Sequence, residues 1–425
     1  MSLKSTVEKI PGYNSLVKPL HYLQAVRAAK KFDYPAKDLR VIAVTGTNGK
    51  TTTSFMIWKM LNTAGHKTGL LTTVGWSEDG ETLHQQMEHM TTERVEVLNE
   101  RMAKARDAGV EFLVLEVTSH ALSQYRTYGV PIEVAVLTNV TPEHLDYHKT
   151  FENYWKAKGR LFKEAKNSVI NADDDSAEWF MEVAKKNASG EIITYGIENG
   201  DLRATEIELG ADGVRYSCGD MKIRTQIPGK FNVYNSLAAV AAGKCVGLSP
   251  AEIENGISAL ESVEGRMTRI CEGQDFEVIV DYAHQPDALE KVFVSVGHGT
   301  GFKGKIIALH GGAGRRDHAT REPRGEILGR ESDIVIITED DTRDEDPQEI
   351  AQMFVDGAVK AGKTLDKDLF VELDREKAIR KAIGMAKAGD LVLILGKGHE
   401  KTILRGDKAV PFEDIKVAEK VLKEK

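Results

Sequence analysis

Cysteine is scarce in this 425-residue chain. Its three cysteines, Cys218, Cys245 and Cys271, lie too far apart for a disulfide scaffold or a zinc knuckle. They are expected to be packed or half-buried thiols in a reducing cytoplasm. Long apolar runs are missing too. No stretch approaches the roughly 18–20 residues a membrane helix needs, so no membrane insertion is expected. The first 30 residues lack an apolar core followed by a small-residue cleavage site, so no secretory leader is expected. Positive charge is not in excess. Fifty-seven Lys and Arg face 65 Asp and Glu, a net charge of −8, which argues against a broad nucleic-acid binder. Low-complexity tracts and solenoid repeats are absent.

What remains is an ordinary globular composition, 41% apolar. Short apolar runs at 41–44, 112–115, 134–137, 278–280, 306–309, 334–337 and 391–395 are bounded by Gly, Asp or Thr. Continuous apolarity suits strands buried on both faces, as in parallel sheets. Amphipathic stretches such as 92–108 and 347–361 lie between them, giving a βαβ rhythm and an α/β fold. Residues 202–227 alternate apolar and polar around Asp212-Gly213 and Gly219-Asp220, the pattern of a small antiparallel insertion. An Ala-rich helix is expected over 232–246. Three parts follow: an N-terminal helical arm at 1–39, a nucleotide-binding domain at 40–264 and a second, Rossmann-like α/β domain at 265–425. Leu16, Leu20, Leu23 and Val26 fit one helical stripe, and Leu16, Leu20 and Leu23 are expected to pack on the central domain.

The first strand runs into Thr45-Gly46-Thr47-Asn48-Gly49-Lys50-Thr51-Thr52 and then a helix. A phosphate cradle needs small residues that let amides face the anion, a helix N-terminus, a Lys for the terminal phosphates and a hydroxyl for Mg²⁺. All are present, although Val44 occupies the first Gly position of the general P-loop pattern. The 112–115 strand ends at Glu116, and the 134–137 strand leads to His144 and His148. Ligands of parallel sheets bind beyond the carboxyl ends of the strands, so Glu116 and His144 are expected to face the crevice of Lys50 and Thr51. A charge ending a buried strand can equally be a structural cap. His144 and His148 have the spacing of a zinc pair, but the Glu of HExxH is missing.

The chain resembles the Mur ligases, most of all the MurE type, the UDP-N-acetylmuramoyl-tripeptide synthetases. The resemblance rests on TGTNGKTT (45–52), EVTSH (116–120), TNVTPEHLDYH (138–148), AKGRLF (157–162) and GKFNVYNSLAA (229–239). It continues through GRM (265–267), DYAHQPDALEK (281–291), GRRD (314–317), EDDTRDEDP (339–347) and GKGHE (396–400). It implies ATP- and Mg²⁺-dependent amide formation through an acyl phosphate, as a step of peptidoglycan synthesis. Gly46, Thr47, Asn48, Gly49, Lys50, Thr51 and Thr52 would hold the ATP phosphates, with Asn232, Asn235, Arg266, Asp281 and His284 also at the nucleotide. Thr51, Glu116 and His144 would serve Mg²⁺. Lys158, which by sequence alone is one helical Lys facing solvent, would become an anionic carbamate and hold a second ion. Thr91, Thr92, Thr118, Gln124 and Arg126 would grip a muramoyl-peptide or similar γ-glutamyl acceptor. Arg316, Asp340, Asp341, Thr342, Arg343, Gly396 and Glu400 would bind the free amino acid, and domain closure would precede chemistry.

The family's diaminopimelate-adding members read Asp-Asn-Pro-Arg where this chain reads Asp340-Asp341-Thr342-Arg343. Retention of Arg343 still points to meso-diaminopimelate over L-lysine. Only 44 residues precede the phosphate loop, so the nucleotide end of the acceptor is expected to be held weakly or not at all by this chain. The rival readings are a folylpolyglutamate, polyglutamate or cyanophycin-type ligase, and a non-catalytic ATP-binding scaffold. A cytoplasmic monomer or weak oligomer is expected.

Overall fold

The structure, a computed structural model, describes residues 13–85, 90–187, 189–210, 212–315 and 318–425. They fall into two compact units. The first holds residues up to 208 with 214–225 and 232–260; the second holds 209–213, 226–231 and 261–425.

In the first unit nine strands form one sheet: β1 (Arg40–Thr45), β2 (Thr68–Leu71), β3 (Gly75–Ser77), β4 (His84–Gln85), β5 (Phe112–Glu116), β6 (Ile132–Leu137), β7 (Ala165–Asn171), β8 (Ile192–Gly196) and β9 (Leu202–Arg203). Their order is β4-β3-β2-β5-β1-β6-β7-β8-β9. From β2 to β9 every pairing is parallel, and β3 and β4 form an antiparallel edge. β1 lies between β5 and β6, so the chain leaves it at a switch point, with a crevice beyond its carboxyl end. The apolar runs are continuous because both faces are covered: β1 is buried from Val41 to Thr45. One face packs Val41, Ala43, Leu113, Leu115, Ala135 and Leu137 with Leu161, Phe162 and Phe180.

The helix Lys50–Thr63 buries nine of its fourteen residues, Thr51–Ile57 among them. It packs so closely on the helix Pro250–Ser258 that a Cβ on Gly256 would lie 2.5 Å from Met60 Cα. The helix Phe151–Glu164 opens on Thr150, whose side chain accepts from the Asn153 amide at 3.1 Å. It buries Tyr154, Ala157, Lys158, Leu161 and Phe162. These positions make one stripe at helical spacing.

Three expectations need correction here. The N-terminal helix, Tyr13–Lys31, forms, but Leu20 and Leu23 are 53% and 52% exposed. Ala25, Ala28 and Ala29 are buried instead; small side chains let the backbone approach its neighbours. The side chain of Leu16 lies outside the described residues. The antiparallel insertion is shorter than 202–227, because Leu202 and Arg203 pair with β8 in the main sheet. The insertion itself is β10 (Thr205–Gly210), β11 (Gly213–Cys218) and β12 (Met221–Thr225), with β11 and β12 turning at Gly219-Asp220. Cys218 is buried and Cys245 half-buried, but Cys271 is exposed.

The second unit is built on β13 (Thr268–Arg269), β14 (Glu277–Asp281), β15 (Ile306–Gly312), β16 (Ile334–Glu339), β17 (Leu369–Val371) and β18 (Leu391–Leu395), in the order β13-β14-β18-β15-β16-β17. Only β13 is antiparallel. One face packs Val278, Val280, Ile307, Leu309, Ile336, Val392 and Ile394 on the helices Arg375–Met385 and Asp414–Lys423. A hairpin, β19 (Thr402–Arg405) with β20 (Lys408–Pro411), follows β18. Among the described residues no helix is long and apolar enough to cross a membrane.

Candidate active site

The phosphate loop is held by the segment after β6. The Asn139 side chain clamps Asn48 from both sides: Asn48 N donates to Asn139 Oδ1 at 3.0 Å, and Asn139 Nδ2 donates to Asn48 O at 2.9 Å. The Thr138 hydroxyl donates to the same carbonyl at 2.6 Å. Thr47 N donates to Asn139 O at 2.8 Å, and the Thr47 hydroxyl lies 3.0 Å from that of Tyr154. A Cβ on Gly46 (φ 151°) would stand 1.9 Å from Thr138 Oγ1, and one on Gly49 (φ 83°) 2.2 Å from Asn235 Oδ1. Both glycines are therefore required by close approach and by backbone conformation. Gly49 caps the helix Lys50–Thr63, and a helix N-terminus favours an anion. Lys50 Nζ donates to Thr47 O at 2.7 Å. Thr52 is buried on the first helical turn. Asn235 bonds Asn232 at 2.8 Å, and both asparagines are buried.

Glu116 and Lys158 both come to this loop. Glu116 is 1% exposed, and its Oε2 accepts from Thr51 Oγ1 at 3.0 Å and from Thr73 N and Oγ1 at 3.0 and 3.1 Å. Lys158 is not the solvated lysine its sequence context suggested. It is 1% exposed, and its Nζ donates to Gly46 O at 2.7 Å. Burial first, and then the charge of Lys50, push its ammonium well below the ordinary lysine range.

Beside the loop, His120, His144, Tyr147 and His148 form a ring cluster. His120 stands 4.7 Å from His144 and 4.1 Å from Tyr147 between ring centroids. Burial, then its histidine neighbours, lower His120 to about 3, so it is neutral. His148 Nε2 lies 3.0 Å from the Ser119 hydroxyl. His144 takes φ 55°, a left-handed conformation uncommon outside glycine and often found at functional positions.

The expected acceptor-gripping residues also converge. The Thr92 hydroxyl donates to Glu116 O at 3.0 Å and accepts from Thr118 N at 3.0 Å. Arg126 donates to Thr92 O and, through Nε and Nη2, to Gln124 Oε1 at 3.1 and 2.7 Å. Burial lowers Arg126 from its usual value. Thr91 lines a small pocket with Thr72, Trp76 and Leu98.

In the second unit Arg266, Asp281 and His284 gather around Tyr282. The Arg266 guanidinium lies 4.6 Å over the Tyr282 ring, and the His284 and His399 rings lie 4.6 and 4.7 Å from it. Asp281 accepts from Met267 N and Ala283 N, each at 2.8 Å. Those bonds fix the turn that presents Arg266. Burial raises Asp281 above the usual carboxylate range.

The carboxylates expected at the amino acid surround a lysine. Lys397 is fully buried and pairs with Asp340 at 3.1 Å, Asp341 at 3.0 Å and Glu400 at 2.7 Å. Burial opposes its charge, but Asp340, Glu400 and Asp341 outweigh burial and raise its pKa. Burial likewise opposes the Asp340 charge, and Lys397 and Arg375 outweigh it, leaving Asp340 below the usual range. Asp340, Asp341 and Glu400 have the spacing of a metal site, but the Lys397 ammonium is the cation among them. Thr342 is buried. Arg343 takes φ 54°, and its amide donates to Leu404 O at 2.9 Å, which ties the segment to β19. Gly396 (φ 107°) faces Asp340. Arg316 lies outside the described residues.

Sequence reasoning assigned no role to Thr73, Thr138, Asn139, Tyr154 or Lys397. For Thr138 and Asn139 the signal was position, since they follow the strand expected at 134–137. For Lys397 it was a cation set between two glycines, three residues before Glu400.

Residues 44–243 match the Mur ligase middle domain, and residues 265–398 match the Mur ligase, glutamate ligase domain. The chain is 39% identical over 407 residues to UDP-N-acetylmuramoyl-L-alanyl-D-glutamate–2,6-diaminopimelate ligase 1 of Clostridium acetobutylicum, covering 94% of this chain and 81% of that one. A solved UDP-N-acetylmuramoyl-L-alanyl-D-glutamate–2,6-diaminopimelate ligase is 31% identical with a TM-score of 0.64, covering 92% of this chain and 79% of that one. A Mycobacterium tuberculosis folylpolyglutamate synthase is similar in fold, with a TM-score of 0.70 at 16% identity over 88% of this chain and 92% of that one.

Proposed function

The chain belongs to the Mur ligase family, and from that premise we propose that it is the ATP-dependent, ADP-forming ligase that adds a diamino acid, meso-diaminopimelate before L-lysine, to UDP-N-acetylmuramoyl-L-Ala-D-Glu or a related muramoyl peptide in peptidoglycan synthesis. The observation that carries this reading is the convergence of Thr51, Glu116 and Lys158 on one phosphate loop. A carboxylate is a poor electrophile because it is already negative. Phosphoryl transfer from ATP gives a mixed anhydride, which the amine attacks with loss of phosphate.

The chain's own groups meet the charge problem. The loop amides and Lys50 hold the phosphates, and fixed donors of this kind stabilise charge as it develops. The Thr51 hydroxyl and Glu116 carboxylate are hard oxygen donors close together, which suits Mg²⁺; with His144 they would hold one ion. Lys158 as a carbamate would contribute to a second. Mg²⁺ bound there would neutralise phosphate charge near the acceptor carboxylate. Arg126, Gln124, Thr92, Thr118 and Thr91 orient the acceptor. Arg266 and His284 serve the nucleotide, with Asp281 fixing Arg266. Asp340, Asp341, Glu400, Gly396, Thr342, Arg343 and Arg316 receive the amino acid.

The test is ADP release with ATP alone, with acceptor, and with acceptor plus meso-diaminopimelate, L-lysine or L-glutamate. Turnover that requires both acceptor and diamino acid is expected. Vigorous hydrolysis of ATP by the protein alone, indifferent to either substrate, would overturn the reading.

A further inference from the structure

His310 lies near the carboxyl end of β15, before Gly311 and Gly312. Strand alternation sends its side chain away from Ile307 and Leu309, which belong to the core on the other face. It is fully buried against the Phe354 ring, with centroids 5.4 Å apart. Burial, and then the charge of Arg324, lower its pKa to about 3, so the imidazole is neutral and carries one donor and one acceptor nitrogen. Among the described residues neither nitrogen has a hydrogen-bond partner. A buried polar group left unpaired costs stability, and a leucine would fill this space without that cost. Packing therefore does not explain the histidine.

The ring edge faces a recess. A Cβ on Gly396 would meet Asp340 Oδ2 at 3.4 Å, His310 Cε1 at 3.7 Å and Gly311 O at 3.9 Å. Cε1 is the carbon between the two ring nitrogens. Gly396 has φ +107°, which side-chain-bearing residues rarely adopt, so the recess stays open. Asp340 engages Lys397 and the Asp341 amide through Oδ1, and its Oδ2 faces the recess. Oxygen acceptors, one of them anionic, thus meet an imidazole that can offer a third acceptor. That arrangement suits the donors of an ammonium group.

We propose that His310 is a specificity-determining residue of the amino-acid site, its neutral imidazole accepting a hydrogen bond from an ammonium group of the incoming amino acid in the recess before Gly396. This rests on the ligase reading above and adds a residue outside the motifs on which the Mur ligase resemblance rests.

The experiment is steady-state ADP release by the full chain and by His310→Leu, His310→Met and His310→Gln. With acceptor and ATP saturating, the amino-acid KM of the Leu and Met variants is expected to rise about ten-fold, the value of one hydrogen bond to a charged group. Gln, which can return an amide oxygen, is expected to stay within about three-fold of the parent. KM for ATP and acceptor should not move, and the melting temperature of the Leu variant should not fall. A merely structural histidine would change the melting temperature without singling out the amino acid. The arms with 2-aminopimelate, as substrate or competitor, identify the ammonium: an equal His310→Leu penalty assigns the α-amine, and no penalty assigns the distal one. An amino-acid KM within about two-fold of the parent in whichever of Leu and Met folds overturns the assignment alone. A parent protein that releases no ADP with any amino acid overturns the ligase reading, and this one with it.

Discussion

Lys158 Nζ donates to the carbonyl oxygen of Gly46 across 2.7 Å, joining the helix Phe151–Glu164 to the phosphate loop. The amine is buried and biased toward its neutral form. A neutral amine attacks CO₂ and a protonated one does not, so burial favours the form that the proposed carbamylation requires.

The first prediction concerns that lysine. Lys158→Met should remove turnover, with partial recovery in added short-chain carboxylic acids, and the parent should carry the mass of one CO₂ on the peptide containing Lys158 after mild handling in bicarbonate. Stability supplies a second readout. The folded pKa of Lys158 is depressed, so the unfolded chain binds more protons and stability gained from this group rises with pH toward the ordinary lysine value. In CO₂-depleted buffer Lys158→Met should therefore be the more stable protein at neutral pH, with the gap closing as pH rises. A gap that widens between neutral and alkaline urea melts contradicts the assignment.

Lys50 folds back on Thr47 O at 2.7 Å. Lys50→Ala should lower kcat by at least about 10²-fold, the scale of losing one preorganised charge-stabilising donor, while circular dichroism stays that of the parent. Retained ADP release would separate Lys50 from the phosphates.

Lys397 is the shared cation of three carboxylates. Lys397→Met leaves those acids buried without it, which should cost about 3–5 kcal/mol of stability near neutral pH. The acids can then relieve their repulsion only by binding protons, so their folded pKa values rise above the unfolded ones. The deficit should grow as pH rises through the mildly acidic range and shrink as pH falls. Denaturant midpoints at both ends of that range check the sign; a deficit independent of pH would mean the acids are solvated.

Arg343 is the fork-shaped cation of the Asp340–Arg343 segment, and a distal carboxylate calls for such a fork. Arg343→Ala should reduce kcat/KM for meso-diaminopimelate by about ten-fold more than for L-lysine. Equal losses with both amino acids would assign Arg343 to the β19 connection instead.

The sequence by itself determined the α/β class, the central strands, the phosphate loop and the carboxylate at the end of β5. Each rests on local signals: continuous apolar runs where both sheet faces are covered, glycines where the backbone turns, and a strand running straight into a helix. The stripe that buries Lys158 was also present, since Tyr154, Leu161 and Phe162 stand one turn away on either side. A lysine in such a stripe reads as solvated until something is known to receive its nitrogen. Only the tertiary structure supplied that receiver, the Gly46 carbonyl, 112 residues earlier in the chain. The Lys397 cluster and the unpaired His310 were decided the same way, because they depend on strands brought together by parallel pairing across long connections. The first helix shows the opposite limit. Its leucine stripe suggested a buried face, but Leu20 and Leu23 are exposed and the side carrying Ala25, Ala28 and Ala29 is buried instead, because periodicity places side chains around a helix without saying which side meets a neighbour.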